Sequence, residues 1–137
     1  MRDLRNHLSD CSINTATLGY QAPIAEVIES IARAGFGKIA PWRREIEGGD
    51  VKAIAKHIRD AGLALSGYCR STYIPANSIQ QFKANIESNK RALDDAATLE
   101  SPCFVMVVGG LPQGSKDLSA ARAQVREATA ELAKIGR

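Results

Sequence analysis

Apolar residues along this chain fall into helical stripes separated by short apolar runs. After Ala22-Pro23, where proline suits a first helical turn, Ile24, Val27, Ile28 and Ile31 recur at helical spacing, and the pattern stops at Gly35. Asp50 is a natural N-cap for a second stripe, Val51, Ile54, Ala55 and Ile58, which ends before Gly62. A third helix is predicted from Ser78 through Phe82, Ile86, Leu93 and Ala96 to Leu99. A fourth runs from Ser115 through Leu118, Ala121, Val125 and Leu132 to Ile135.

Each helix is preceded by a run that reads as a strand. The four runs are residues 12–18, 38–42, 63–69 and 103–108, the last being the most apolar and therefore expected to be buried on both faces. Pro41 removes one ladder donor, so the second strand should end or bulge there. Strand starts near residues 12, 38, 63 and 103 have the spacing of strand-helix units joined by right-handed crossovers, so the fold class is α/β with four consecutive βα units.

Composition narrows the function classes. The chain has 137 residues, one domain's worth, with 18 Lys and Arg against 15 Asp and Glu. The net charge of +3 is spread without runs, which argues against a nucleic-acid partner. No stretch is long and apolar enough for a membrane span and the N-terminus carries no signal-peptide core, so a soluble, cytoplasmic protein is expected. Cys11, Cys69 and Cys103 have no ligand spacing and read as reduced thiols. With only His7 and His57, and no HxH or HExxH, the chain is poor in metal ligands.

Four βα units fit either a complete flavodoxin-like doubly wound sheet or half of a (β/α)8 barrel of about 250 residues. The complete sheet lacks its chemistry. The turn after the first strand, Gly19-Tyr20-Gln21-Ala22-Pro23, is no phosphate-binding loop, and the carboxylates sit mainly on helices rather than at strand ends.

Four segments carry a family resemblance: residues 12–19, Ile39-Ala40-Pro41-Trp42-Arg43, Gly67-Tyr68-Cys69-Arg70, and residues 108–118 beginning Val108-Gly109-Gly110-Leu111-Pro112. They resemble the N-terminal half of the xylose isomerase-like TIM barrels, the sugar phosphate isomerases and epimerases. The resemblance covers nearly all of residues 1–137, which are read as one partial domain. Where that family tends to a glycine-rich continuation after the third strand, this chain has Ser71-Thr72-Tyr73-Ile74. The resemblance implies a divalent metal held by Glu, Asp, His and Glu at the ends of strands five to eight. Lys134-Ile135-Gly136-Arg137 resembles the end of the fourth helix, so those ligands would follow residue 137, and no metal is expected to be bound by this chain alone.

The working face of a βα barrel is at the C-terminal strand ends. Here these are Leu18-Gly19-Tyr20, Trp42-Arg43-Arg44, Cys69-Arg70 and Gly109-Gly110-Leu111. Trp42 offers a flat apolar face for a sugar ring, and Arg43 and Arg70 offer forked donors for phosphate or carboxylate. Gly109 and Gly110 permit close backbone approach. The alternative is packing for Trp42, solvated arginines and a plain turn at the glycines. His57 should face solvent or a helix boundary on the outer helix ring, and His7 should lie at the opposite end of the barrel.

Two functional readings follow. In the first, the chain supplies substrate-positioning residues for a metal-dependent sugar or sugar-phosphate isomerase or epimerase and is inactive alone. In the second, it is a non-catalytic binding or assembly module. An open half barrel leaves the edges of strands one and four unpaired, so self-association, closing a homodimer, or a missing C-terminal half is expected as partner.

Overall fold

A computed structural model describes residues 4–19 and 21–136. Strand β1 (Ser12–Asn14) pairs in parallel with β2 (Lys38–Ala40), Ile13 opposite Ile39, and β2 pairs in parallel with β3 (Ala64–Leu65), Ile39 opposite Leu65. Strand β4 (Tyr68–Cys69) pairs in parallel with β5 (Phe104–Val105). Sheet order is consecutive, β1-β2-β3 and β4-β5, with a parallel bridge from Trp42 to Cys69 linking the two. This order matches four βα units in sequence and excludes the 2-1-3-4 order of a flavodoxin-like sheet.

The third predicted strand is split in two at Ser66-Gly67. At Gly67 a Cβ would lie 3.0 Å from Cys103 Sγ, so a larger residue there would have to displace that side chain. Strand β2 stops at Ala40, as the proline required. Pro41 keeps its acceptor, however, and the Cys69 amide donates to the Pro41 carbonyl at 3.2 Å, so the sheet continues past it.

Helix α1 (Ile24–Arg33) buries Val27, Ile28 and Ile31. A short helix α2 (Arg43–Ile46), not predicted from the sequence, follows Trp42. Helix α3 (Val51–Asp60) is capped by Asp50, whose Oδ1 accepts from the Ala53 amide at 2.9 Å. Helix α4 spans Ile79–Thr98 and α5 spans Leu118–Leu132. The last helix starts three residues later than expected because Asp117, not Ser115, caps it, accepting from the Ala120 amide at 2.9 Å. Ser115 Oγ instead accepts from the Asp117 amide.

The chain divides into two compact units, one comprising residues up to Cys69 with Asp95–Val105, the other Arg70–Asp94 with Met106 onward. In the first, Ile28, Ile31, Ile39, Ile58 and Leu63 form a core of helix faces on the sheet, joined by Ile13 and Leu65. At about 25 cal/mol per Å² of apolar surface, each such side chain contributes roughly 1.5–3 kcal/mol. In the second, Ile74, Ala76, Phe82, Ile86, Ala128 and Leu132 pack together with Met106 and Val108.

The expectation of two-sided burial for the fourth apolar run is not met. Met106 and Val108 pack inward, whereas Val105 and Val107 are each 38% exposed. Successive strand side chains point to opposite faces, and among the described residues no second layer covers the outer one.

Candidate functional site

In the first unit the strand ends are held by side-chain hydrogen bonds. Thr15, buried at the end of β1, donates its hydroxyl to Glu45 Oε2 and accepts from the Trp42 amide at 3.0 Å. Glu45, in the first turn of α2, also accepts from the Trp42 amide at 3.0 Å. A carboxylate three residues into a helix reaches back to the residue before it, the half of a capping box that a tryptophan side chain cannot complete. Thr15, just past β1, shares the Trp42 amide with Glu45 and ties the two segments together. Asn14 accepts from the Ala16 amide and points its own amide at Cys69 Sγ, 3.7 Å away. Burial pushes the Cys69 thiol above the usual cysteine range.

Around this brace, Trp42 is half-buried with the Arg44 guanidinium over its ring, 5.1 Å from the centroid. Arg43 differs from expectation. Its side chain is only 9% exposed and donates to Glu47 Oε1 at 2.7 Å, so one turn of α2 draws it inward to a carboxylate instead of presenting its fork outward. A cleft of about 320 Å³ is lined by Gln21, Pro23, Ile24, Arg44 and Glu45. Tyr20 lies outside the described residues. Tyr68 is fully buried and donates to Asp95 Oδ2 at 3.5 Å; burial, then the Asp95 charge, push its ionisation well above the usual tyrosine range.

In the second unit, the Arg70 guanidinium carbon lies 4.5 Å from the centroid of the Tyr73 ring, and Tyr73 is 49% exposed. Gly109 has φ +87°, and a Cβ there would lie 2.7 Å from Tyr73 Cβ and Cγ. Gly110 has open space around it. A cavity of about 300 Å³ is lined by Pro75, Gly109, Gly110, Leu111, Val125 and Arg122. Three of the five expected residues, Arg70, Gly109 and Gly110, thus fall around Tyr73 or beside this cavity. Trp42 and Arg43 belong to the first unit.

The connection after Arg70 is extended and tightly held. Ser71 Oγ donates to the Val107 carbonyl at 3.0 Å and accepts from the Val107 amide at 2.8 Å. Asn89, fully buried, accepts from the Thr72 amide at 2.7 Å and donates to the Thr72 carbonyl at 3.0 Å. Asn85 donates to the Ile74 carbonyl at 3.2 Å, and Gln124 accepts from the Ala76 amide and donates to the Ala76 carbonyl. The sequence reading missed Thr15, Glu45, Tyr73, Asn85, Asn89 and Gln124. One signal was present: Gln81, Asn85 and Asn89 recur every four residues, an amide stripe where a helix face would otherwise be apolar.

His57 lies on α3 with Nε2 3.1 Å from Glu29 Oε1, on the outer helix layer as expected. His7 is exposed. Among the described residues no three His, Cys, Asp or Glu side chains converge, so these side chains do not form a set able to hold a metal ion. No helix of the described residues is long and apolar enough to cross a membrane.

No protein-family model matches the chain, and no curated protein matches it. Solved structures do. A protein of Sinorhizobium meliloti is 37% identical over 96% of this chain, with a TM-score of 0.88 and 48% of that chain covered. A D-psicose 3-epimerase is 18% identical over 91% of this chain, TM-score 0.76, with 47% of its own chain covered. A putative xylose isomerase from Rhodospirillum rubrum is 17% identical over 91%, TM-score 0.74, with 49% of its own chain covered. The chain spans about half the length of each of these three structures. With its consecutive parallel βα order, it has the fold of the xylose isomerase-like TIM barrels over the extent of an N-terminal half.

Proposed function

We propose that the chain supplies substrate-positioning groups to a sugar or sugar-phosphate isomerase or epimerase, while the divalent metal and the proton-transferring carboxylates come from residues outside this chain. The observation that carries the reading is the Arg70-Tyr73 pair against Gly109. Stacking on an aromatic ring orders a guanidinium, and its forked donors match a phosphate or carboxylate group of an incoming polyol. The open space beside Gly110 leaves room for the rest of such a molecule. In the first unit, Trp42 with Arg44 over its ring offers a second surface of the same chemistry. Moving a proton between adjacent carbons needs placed bases and an electrophile, and the proposed positioning groups are cations, aromatic rings and glycines, so the chain alone is inactive in this reading.

The test is binding and turnover on the purified chain. D-fructose 6-phosphate is expected to bind, D-fructose to bind at least about tenfold more weakly, and Arg70→Ala to remove the difference. No aldose-ketose interconversion is expected with or without added Mn²⁺. Equal affinity for the two sugars, or turnover at an ordinary enzymatic rate, would overturn the proposal.

A second reading, an assembly module that closes with a copy of itself, is favoured by one-sided pairing. Among the described residues every strand but β2 has one strand neighbour, and Val105 on β5 is exposed. Light scattering across a concentration series reads it directly: a dimer that Val105→Lys dissociates supports it, and a monomer at high concentration removes it.

A further inference from the structure

We infer that Asn89 is a positioning residue for the Arg70-Tyr73 pair, acting through the main chain of residues 71–76, with Gln124 holding the far end of the same segment. The inference deepens the proposed function and rests on it only for the identity of the ligand.

The geometry is that of a strand whose partner strand has been replaced by side chains. Thr72 and Ala76 each have amide and carbonyl bound by one primary amide, from Asn89 and Gln124 respectively. Between them the Ile74 amide donates to the Val108 carbonyl at 3.0 Å and its carbonyl accepts from Asn85, whose own Oδ1 accepts from Gln81 Nε2 at 2.8 Å. Thr72 Oγ1 and Ser88 Oγ add a contact at 2.9 Å. Alternation then decides what faces outward. Residues 72, 74 and 76 direct their main-chain groups to this frame, Ile74 and Ala76 sink into the core, and Tyr73 is left on the outside.

Asparagine is a poor choice for a helix interior, and a buried amide costs stability unless it is satisfied. Asn85 and Asn89 sit one turn apart in the middle of α4 at 8% and 0% exposure, and each bonds to the 71–76 main chain. Their positions are explained by that segment. Holding it straight fixes the Tyr73 Cα, and with it the ring on which Arg70 stacks. Ser71 to Val107 and Ile74 to Val108 tie the same segment to another stretch of main chain.

The experiment uses Asn89→Ala, Asn89→Asp, Gln124→Ala and, as a destabilised control that touches none of these bonds, Leu132→Ala. Two quantities are read by NMR: the upfield ring-current shift of the Arg70 Hδ protons in the ligand-free protein, and the affinity for inorganic phosphate. Asn89→Ala is expected to lose most of the ring-current shift and to bind phosphate about tenfold more weakly. Asn89→Asp, which keeps the acceptor for the Thr72 amide and loses the donor to its carbonyl, should fall between. Leu132→Ala, at a temperature where it is folded, should keep both. If Asn89→Ala does not fold, Gln124→Ala carries the same test from the other end. Retention of the shift by the Asn89 and Gln124 variants, or its loss in Leu132→Ala as well, overturns the inference. If the parent chain binds no phosphate, the proposed function falls, and the ligand-free shift still decides the role of Asn89.

Discussion

Gly109 stands where any side chain would collide with Tyr73: a Cβ at this position would come within 2.7 Å of the tyrosine Cβ and Cγ, at a backbone φ of +87°. Both constraints act on the same residue, and its neighbour has neither. Gly109→Ala should therefore cost about 1–3 kcal/mol and displace the Tyr73 ring, whereas Gly110→Ala should change stability by less than about 0.5 kcal/mol. Urea denaturation of the two variants, with the Tyr73 ring protons followed by NMR, checks both.

Thr15 joins β1 to the start of α2 through Glu45 and the Trp42 amide. Thr15→Val keeps the shape and removes the hydroxyl, leaving a carboxylate oxygen and an amide with one partner fewer. A loss of about 1–3 kcal/mol is expected. Trp42 is the single tryptophan, so its emission reports on the brace directly. Glu45→Gln should shift the emission less than Thr15→Val, because the amide oxygen still accepts from the Trp42 amide.

Tyr68 is buried with its hydroxyl toward Asp95, and its ionisation lies above the tyrosine value of the unfolded chain. The folded state therefore keeps this proton at pH values where the unfolded state releases it. The stabilisation is complete below about pH 10 and declines as pH rises from there. Denaturant midpoints measured from pH 8 to 11 should fall more steeply in the parent protein than in Tyr68→Phe, which has no phenol to ionise at this position.

The thiols should differ in reactivity for the same reason. Cys69 is buried with a raised thiol pKa, and Cys103 is exposed. At pH 8 iodoacetamide should label Cys103 well before Cys69, since the thiolate is the reacting form and access is required. Mass spectrometry of a time course reads the order. Equal rates would contradict the burial of Cys69.

The sequence by itself determined the α/β class, the consecutive βα order, and which faces of α1 and α3 turn inward, whereas Leu118 and Ile135 of the last predicted stripe are exposed. Each of these depends on the spacing of residues such as Val27, Ile28 and Ile31, or on a local device such as the Asp50 cap, and periodicity and capping act over one or two turns of chain. It also placed the strand end at Pro41, which a missing donor imposes on any sheet. Tertiary structure alone decided the break at Ser66-Gly67 and brought Gly67 against Cys103, 36 positions away. It decided that the connection after Arg70 is an arm held by Asn85, Asn89 and Gln124. Those amides satisfy main-chain groups on a segment up to 48 residues distant. Hydrogen-bond partners of that kind are chosen by where the folded backbone runs, and one-dimensional spacing does not carry that information.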